Sequence, residues 1–257
     1  MTPTLVFDLE TIPDIAGLRA LQGAGSEVSD EAVYELAVSK RREVTGHDFL
    51  PLHLQRIAVV GCVFRDDNGF RVKCLGQADD PEKTLIQAFF KTIDRYTPKL
   101  VSWNGSGFDL PVLHYRSLIH GLVAQRYWEN GDDDREFRYS NYLSRYHNRH
   151  VDLMDVLAKH NGRGNAPLDE MAKLCGFPGK LGMDGSQVWP AWQAGKEDEI
   201  RAYCETDVMN TWLVYCRFRK LRGEIDDTAY QQEIELVRGF LNNNDAPHWQ
   251  AYLAAWR

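Results

Sequence analysis

Three short stretches of the 257-residue sequence put acids where an acid is costly. In Phe7-Asp8-Leu9-Glu10-Thr11 two carboxylates lie two residues apart on an apolar, β-forming run. Alternation along a strand points Val6, Asp8 and Glu10 to one face and Leu5, Phe7 and Leu9 to the other. Like charges this close repel unless a cation bridges them or a proton is taken up. The plainer alternative is a strand end with two solvated acids.

Asp109 follows Asn104-Gly105-Ser106-Gly107-Phe108 and precedes Leu110-Pro111, between a short apolar strand and a helix. An Asp there, with Pro in the first turn, is an ordinary helix cap. The same place is where open α/β sheets bind ligands, and Gly105 and Gly107 permit close backbone approach. Tyr203 and Asp207 are four apart and share a helix face with Ile200, Cys204, Val208, Thr211, Trp212 and Tyr215. That face reads as buried, and an acid in it breaks the local pattern, as functional residues do. The neighbours of Asp207 at three and four residues are Tyr203, Cys204, Asn210 and Thr211, none of them cationic. Only a tertiary partner could form a salt bridge with it.

Acids delivered from a strand, a strand-end loop and a helix make an oxygen-rich donor set of the kind Mg²⁺ or Mn²⁺ prefers. Two such ions roughly 3.5–4 Å apart can activate a water and clamp the charge that develops when a phosphodiester is cut. Each stretch is weak alone; the order DxE, D, YxxxD on those three elements is specific.

The elements that must position these residues follow from periodicity and turn chemistry. Thr4 to Thr11 reads as a first strand, stopped by Pro13. Residues 14–55 read as an insertion, with a helix at Asp30 to Glu43 that has Ala32, Val33, Leu36 and Ala37 at helical spacing behind a Ser29 or Asp30 cap. Arg56–Arg65 and Phe70–Gly76 are predicted to pair antiparallel across the turn Asp66-Asp67-Asn68-Gly69. Pro81 opens a helix with Leu85, Ala88, Phe89, Ile93 and Tyr96 on one stripe. Leu100–Trp103 is a short strand, and Leu110–Leu122 a helix with Val112, Leu113, Leu118 and Ile119 inward. Residues 123–149 are polar, aromatic and irregular. His150–Leu153 is a further strand running into a helix, Leu168–Leu174 a short helix, and Gly195–Arg222 the longest helix, with two more to the C-terminus. The order is that of an α/β domain, a mixed sheet flanked by helices, with 1–223 as the main unit and 224–257 as a helical C-terminal extension.

Composition bounds the function less tightly. A 44% hydrophobic content supports one substantial core. The longest apolar stretch, Ile57–Phe64, is too short to cross a bilayer, and nothing near Met1 resembles a secretory signal, so a soluble cytoplasmic protein with no membrane partner is expected. The five cysteines show no CxxC or zinc spacing and read as free core thiols. A formal charge of −7 counts mildly against a polyanion substrate, although bound divalent cations would offset it locally. Arg126, Arg135, Arg138, Arg145 and Arg149 gather in one segment that reads equally as a solvated loop or as a surface gripping a nucleic-acid backbone.

The three acidic stretches resemble the motifs of the DEDD 3′-to-5′ exonucleases, and most closely the exonuclease domain of family B DNA polymerases and its stand-alone bacterial relatives. The similarity runs to about Tyr215, outside residues 14–55 and 123–149. YxxxD places the sequence in the tyrosine branch, since Ala202 stands where the histidine branch has its His. The resemblance implies a ribonuclease H-like fold and a two-metal-ion site. Asp8, Glu10 and Asp207 would ligate the inner ion, Asp8 would bridge to the second, and Asp109 would act through ordered water. It implies Tyr203 beside the attacking water, Glu10 and Thr11 at the terminal 3′-hydroxyl nucleotide, and Asn104 and Phe108 on the last bases. The implied substrate is the 3′ end of single-stranded or frayed DNA or RNA. Family B polymerases continue for several hundred residues with their own catalytic acids, so polymerase activity is not expected here; proofreading would come through a polymerase or repair partner. The alternatives are a catalytically silent nucleic-acid-binding subunit and a ribonuclease H-like endonuclease.

Overall fold

Burial along Thr4–Pro13 makes this segment the central strand β1 of the computed structural model, which describes residues 2–256. β1 leads into α1 (Ile15–Gln22) and α2 (Asp30–Thr45), then β2 (Gln55–Asp66), β3 (Gly69–Cys74) and α3 (Glu82–Tyr96). β4 (Lys99–Ser102), α4 (Asp109–Ile119), α5 (Gln125–Trp128), β5 (His150–Asp152) and α6 (Leu153–Leu157) follow. The chain ends in α7 (Leu168–Leu174), α8 (Val188–Gln193), α9 (Glu197–Leu221), α10 (Asp227–Asn242) and α11 (Pro247–Ala255). The sheet order is β3-β2-β1-β4-β5. β2 runs antiparallel to β1 and β3, whereas β1, β4 and β5 are mutually parallel.

Alternation on β1 divides the core as its sequence requires. Val6 faces α9 and the C-terminal helices, joining Val63, Val101, Trp212, Val237 and Tyr252. Leu5, Phe7 and Leu9 face α3 and α4, joining Phe89, Ile93, Val112 and Leu113. α9 is therefore covered on one side by the sheet and on the other by α10 and α11, and both halves of its circumference are buried. The hairpin and the helix boundaries at Leu168–Leu174 agree with the sequence pattern.

Two expectations need correction. Residues 14–55 hold a second helix, α1, capped by Asp14, and α2 buries Val33 and Val38 while Leu36 is exposed. On α4, Leu118 and Ile119 point to solvent rather than inward. The inward stripe runs instead through Asp109, Val112, Leu113 and Arg116, because Arg116, 3% exposed, is neutralised where it lies. Its guanidinium grips Glu82 at 2.6 Å and also reaches Asp14, tying the insertion to α3 and α4. A hydrophobicity count cannot anticipate a cation on a core stripe.

Replacing this cation should be costly, because two buried carboxylates lose their counter-ion. Arg116→Met is expected to lower unfolding free energy by about 3–5 kcal/mol in urea titration. A loss below about 1 kcal/mol, the range of an exposed pair, would mean that Arg116 is not a buried structural cation.

Candidate active site

β2, beside β1, and α9 meet closely at Gly61. Gly61 pairs with Asp8 across the β1–β2 ladder, and a Cβ there would come within 2.6 Å of Cys204 Sγ and 3.2 Å of the Cys204 carbonyl oxygen. Without that Cβ, α9 settles onto the sheet and carries Tyr203, Cys204 and Asp207 over the face that bears Asp8 and Glu10. The ladder also shifts register between Glu10 and Thr11, an irregularity of the kind that re-aims side chains at strand ends. Asp8, Glu10 and Cys204 bring ligand atoms within 4.8 Å of one another.

Asp109 arrives from the other side. β4 pairs with β1 only over Thr4–Val6, so the Leu9 N–H has no strand partner there. Asp109 Oδ1 accepts it at 2.9 Å, and the carboxylate is 2% exposed. Phe108 takes the N-cap position of α4 without a side-chain cap, so Asp109 does not serve as the cap that its sequence setting allowed. The loop before it is pinned by Asp152 at the end of β5, whose carboxylate oxygens accept the Asn104 and Ser106 N–H groups at 2.9 Å each. Asn104 is held there at a φ of 69°.

Asp207 has the tertiary partner that helical spacing could not supply. Lys180 Nζ lies 2.9 Å from Asp207 Oδ2, donates to the Tyr203 hydroxyl and sits 4.8 Å from the Tyr203 ring centre. Lys180 is placed by a clamp: Asn210 on α9 accepts the Gly179 N–H at 3.2 Å and donates to the Gly179 carbonyl at 2.9 Å. Tyr252 on α11 donates to the same Asn210 oxygen at 2.6 Å. The other Asp207 oxygen, Oδ1, is buried with no hydrogen-bond partner among the described residues.

Electrostatics follow from this crowding. Burial, then the charges of Asp109 and Asp207, hold the Asp8 carboxyl well above its ordinary range. Burial and the neighbouring Asp8 and Asp207 do the same to Glu10. Burial pushes Asp109 up to about 7 against the opposing Leu9 N–H. Asp207 is raised by burial and partly relieved by Lys180. Burial works against the Lys180 ammonium, but Asp207, Asp8 and Glu10 outweigh it and its pKa rises. Burial and the three acids keep Tyr203 a phenol. The Cys204 thiol is likewise held protonated by burial and lies 3.6 Å from the Asp8 carbonyl and 3.8 Å from Oδ2, so it serves as a donor to Asp8 rather than as a thiolate ligand. Oxygen donors that would rather be protonated than charged, one of them orphaned, fit a divalent cation.

The remaining sequence-derived positions border this cluster. Thr11 Oγ1 donates to Gln55 Oε1 at 3.0 Å, and half-buried Phe108 packs against Phe49 of the insertion at 5.9 Å between ring centres. Sequence reading missed Lys180, Asp152 and Gly61. Lys180 follows an unremarkable Pro178-Gly179 turn, 27 residues before Asp207 (207 − 180), and no local spacing links them. Asp152 did carry a signal, an acid at the C-terminal end of a parallel strand.

A mixed sheet flanked by helices, with acids converging at the strand ends, is the ribonuclease H-like fold. The chain belongs to the family described as a predicted 3'-5' exonuclease related to the exonuclease domain of PolB, whose match covers residues 47–256. That span includes Asp109, Tyr203 and Asp207 and begins after Asp8 and Glu10. Among solved structures, the chain is similar to the family B DNA polymerase from the hyperthermophilic archaeon Pyrobaculum calidifontis, with TM-score 0.51 and 17% identity. The similarity covers 82% of this chain and 24% of the polymerase, and it is a likeness of fold. No curated protein matches. No helix among the described residues is long and apolar enough to cross a membrane.

The raised carboxyls set a sign for stability against pH. Between its ordinary value of 3.8 and about 7, Asp109 keeps a proton in the folded chain that the unfolded chain has lost, so folding weakens as pH rises through that window. Asp8, Glu10 and Asp207 shift the same way. In chelator, Tm is expected to fall from about pH 5 to about pH 8, with Asp109→Asn flattening the slope and Mn²⁺ restoring most at the alkaline end. A Tm that climbs with pH would contradict this electrostatic account.

Proposed function

We propose that the chain is a metal-dependent 3′-to-5′ exonuclease acting on single-stranded or frayed nucleic-acid ends. The observation that carries this reading is the convergence of half-buried Asp8 with buried Glu10, Asp109 and Asp207, with Lys180 drawn in beside Asp207 and Asp207 Oδ1 without a hydrogen-bond partner among the described residues. Asp8, Glu10 and Asp207 would hold one Mg²⁺ or Mn²⁺ ion, and Asp8 with Asp109, the latter through water, a second. Such a pair supplies an activated water and offsets the charge that develops on the phosphate.

The protein's own groups have distinct tasks. Tyr203 cannot act as a base, because its phenol stays protonated; it accepts from Lys180 and orients the attacking water with its hydroxyl. Lys180 fixes that phenol and adds positive charge beside Asp207, where a phosphate oxygen would be stabilised. Asp152 keeps Asn104 and Ser106 in place in the loop that leads to Phe108, whose ring is offered to the last bases. Thr11, beside Glu10, meets the terminal nucleotide. In this reading residues 1–223 form the exonuclease unit with 14–55 inserted, and 224–257 is a helical extension that steadies it. A polymerase or repair protein is the partner expected to expose its 3′ ends.

The test is the product ladder from 5′-labelled DNA and RNA strands with Mg²⁺ or Mn²⁺. Stepwise shortening is expected from the unaltered chain, reduced about 100-fold or more in Asp8→Asn and Asp207→Asn. Full activity in either variant would sink the site assignment. Cleavage of a circular strand would instead indicate an endonuclease, and metal-independent binding without cutting a silent binding subunit.

Tyr203→Phe separates orientation from ligation. It should lower kcat by about 10–100-fold while leaving the affinity for Mn²⁺ within about twofold. A large loss of metal affinity would make Tyr203 part of the ion site instead.

A further inference from the structure

A cavity of about 670 Å³ opens on the far side of the catalytic loop, at the C-terminal ends of β4 and β5. Its near wall includes Asn104 and Gly107, the loop that leads to Asp109. The far wall includes Tyr127, Trp128, Tyr142 and Arg145 of the 123–149 segment, which the acidic cluster does not use. The volume lies within the roughly 300–1,000 Å³ typical of small-ligand sites.

The far wall is aromatic and rigid. Trp128 is 50% exposed, so one part of its ring is backed by protein and another is free. Behind it lie His114, with ring centres 4.8 Å apart, and Tyr127, meeting it edge-on at 5.5 Å. Tyr127 is fixed in turn by a 2.9 Å bond between its hydroxyl and His114 Nε2 and by parallel stacking on Tyr142 at 5.6 Å. Burial keeps His114 neutral, so this backing brings no charge. Arg145 is anchored by Asp155 at 2.6 Å, with its side chain still 48% exposed. A guanidinium carries five donors, and Asp155 accepts from two of its nitrogens.

A half-free ring held by a buried aromatic stack, next to an exposed guanidinium, is a base-and-phosphate receptor more than a protein-binding groove. Bases stack on any aromatic face, and the adjoining phosphate takes the cation. Of the arginines in this segment, Arg145 is the one that lines the cavity. Arg126 and Arg149 are spent on the two sides of buried Phe137, at 4.2 and 4.0 Å from its ring centre, and Arg138 donates to the Gly131 carbonyl.

We propose that this cavity receives the nucleotide on the 5′ side of the scissile bond, its base on Trp128 and its phosphate at Arg145. Segment 123–149 thus grips the single strand upstream of the cut. The inference rests on the exonuclease reading, and it adds a subsite that the terminal nucleotide alone does not reach.

The experiment measures two things. In chelator, where nothing is cut, fluorescence anisotropy follows a labelled single-stranded decanucleotide binding to the full chain. Trp128→Ala is expected to weaken binding about tenfold, with Trp128→Phe restoring most of it and Arg145→Gln giving a smaller loss with a shallower salt dependence. With Mn²⁺, the ratio of kcat/KM for the decanucleotide to that for the p-nitrophenyl ester of thymidine 5′-monophosphate, which presents only a terminal nucleotide, should fall by a similar factor in Trp128→Ala. Unchanged oligonucleotide binding, or equal losses on both substrates, overturns the subsite. Failure of the unaltered chain to hydrolyse the ester bears on the exonuclease reading separately, since binding in chelator does not depend on it.

Discussion

Four carboxylates and one ammonium share a buried space between β1, the Asp109 loop and α9, and their mutual repulsion is the constraint around which the neighbouring structure is arranged. Two like charges 4 Å apart repel by about 4 kcal/mol at the effective dielectric of a protein site. Nothing in local backbone preference would bring such groups together. They are held by features that have no other evident use: a glycine opposite Asp8 that lets α9 approach, a strand N–H left unpaired for Asp109, and a lysine clamped beside Asp207. Lys180 and retained protons relieve the stress, and in the proposed reading divalent cations would take the place of the protons.

The C-terminal helices, which the family match at residues 47–256 includes although the motif resemblance stopped near Tyr215, and the insertion both support this centre rather than stand apart from it. From the C-terminal helices, Tyr252 fixes Asn210, which fixes Gly179 and so Lys180. On α10, Glu233 pairs with Arg65 at the start of the β2–β3 turn. From the insertion, Asp14 reaches Arg116 and Phe49 meets Phe108. The Tyr252, Asp14 and Phe49 links each reach the element that carries a proposed ligand or the loop that leads to it, whereas the Glu233–Arg65 pair braces β2, the neighbour of β1.

Charge explains how an acidic chain could still handle a polyanion. With a net −7 and most arginines of the 123–149 segment paired or stacked internally, a broad basic face is absent among the described residues of that segment. Affinity would come from bound cations at the acids and from stacking at Phe108 and Trp128. Both act at short range and would suit the proposed exonuclease in holding a strand end rather than a long duplex.

Periodicity and turn chemistry were enough to determine the strand that carries Asp8 and Glu10, the β2–β3 hairpin, the Leu168–Leu174 helix and the long helix with Tyr203 and Asp207, because these signals are local. The same locality hid α1 and the role of Arg116, whose place on a core stripe depends on Glu82 and Asp14 from other elements. It also left open whether Asp109 caps a helix, which was decided only by where β4 stops and leaves the Leu9 N–H free. Lys180 was invisible for a related reason: an ion pair across 27 residues (207 − 180) exists only once a buried Asn210 has folded the Gly179 turn against α9. Residue types and spacing named the acids; only tertiary packing could bring them together and supply their counter-charge, because charge–charge energies depend on distance and burial rather than on order along the chain.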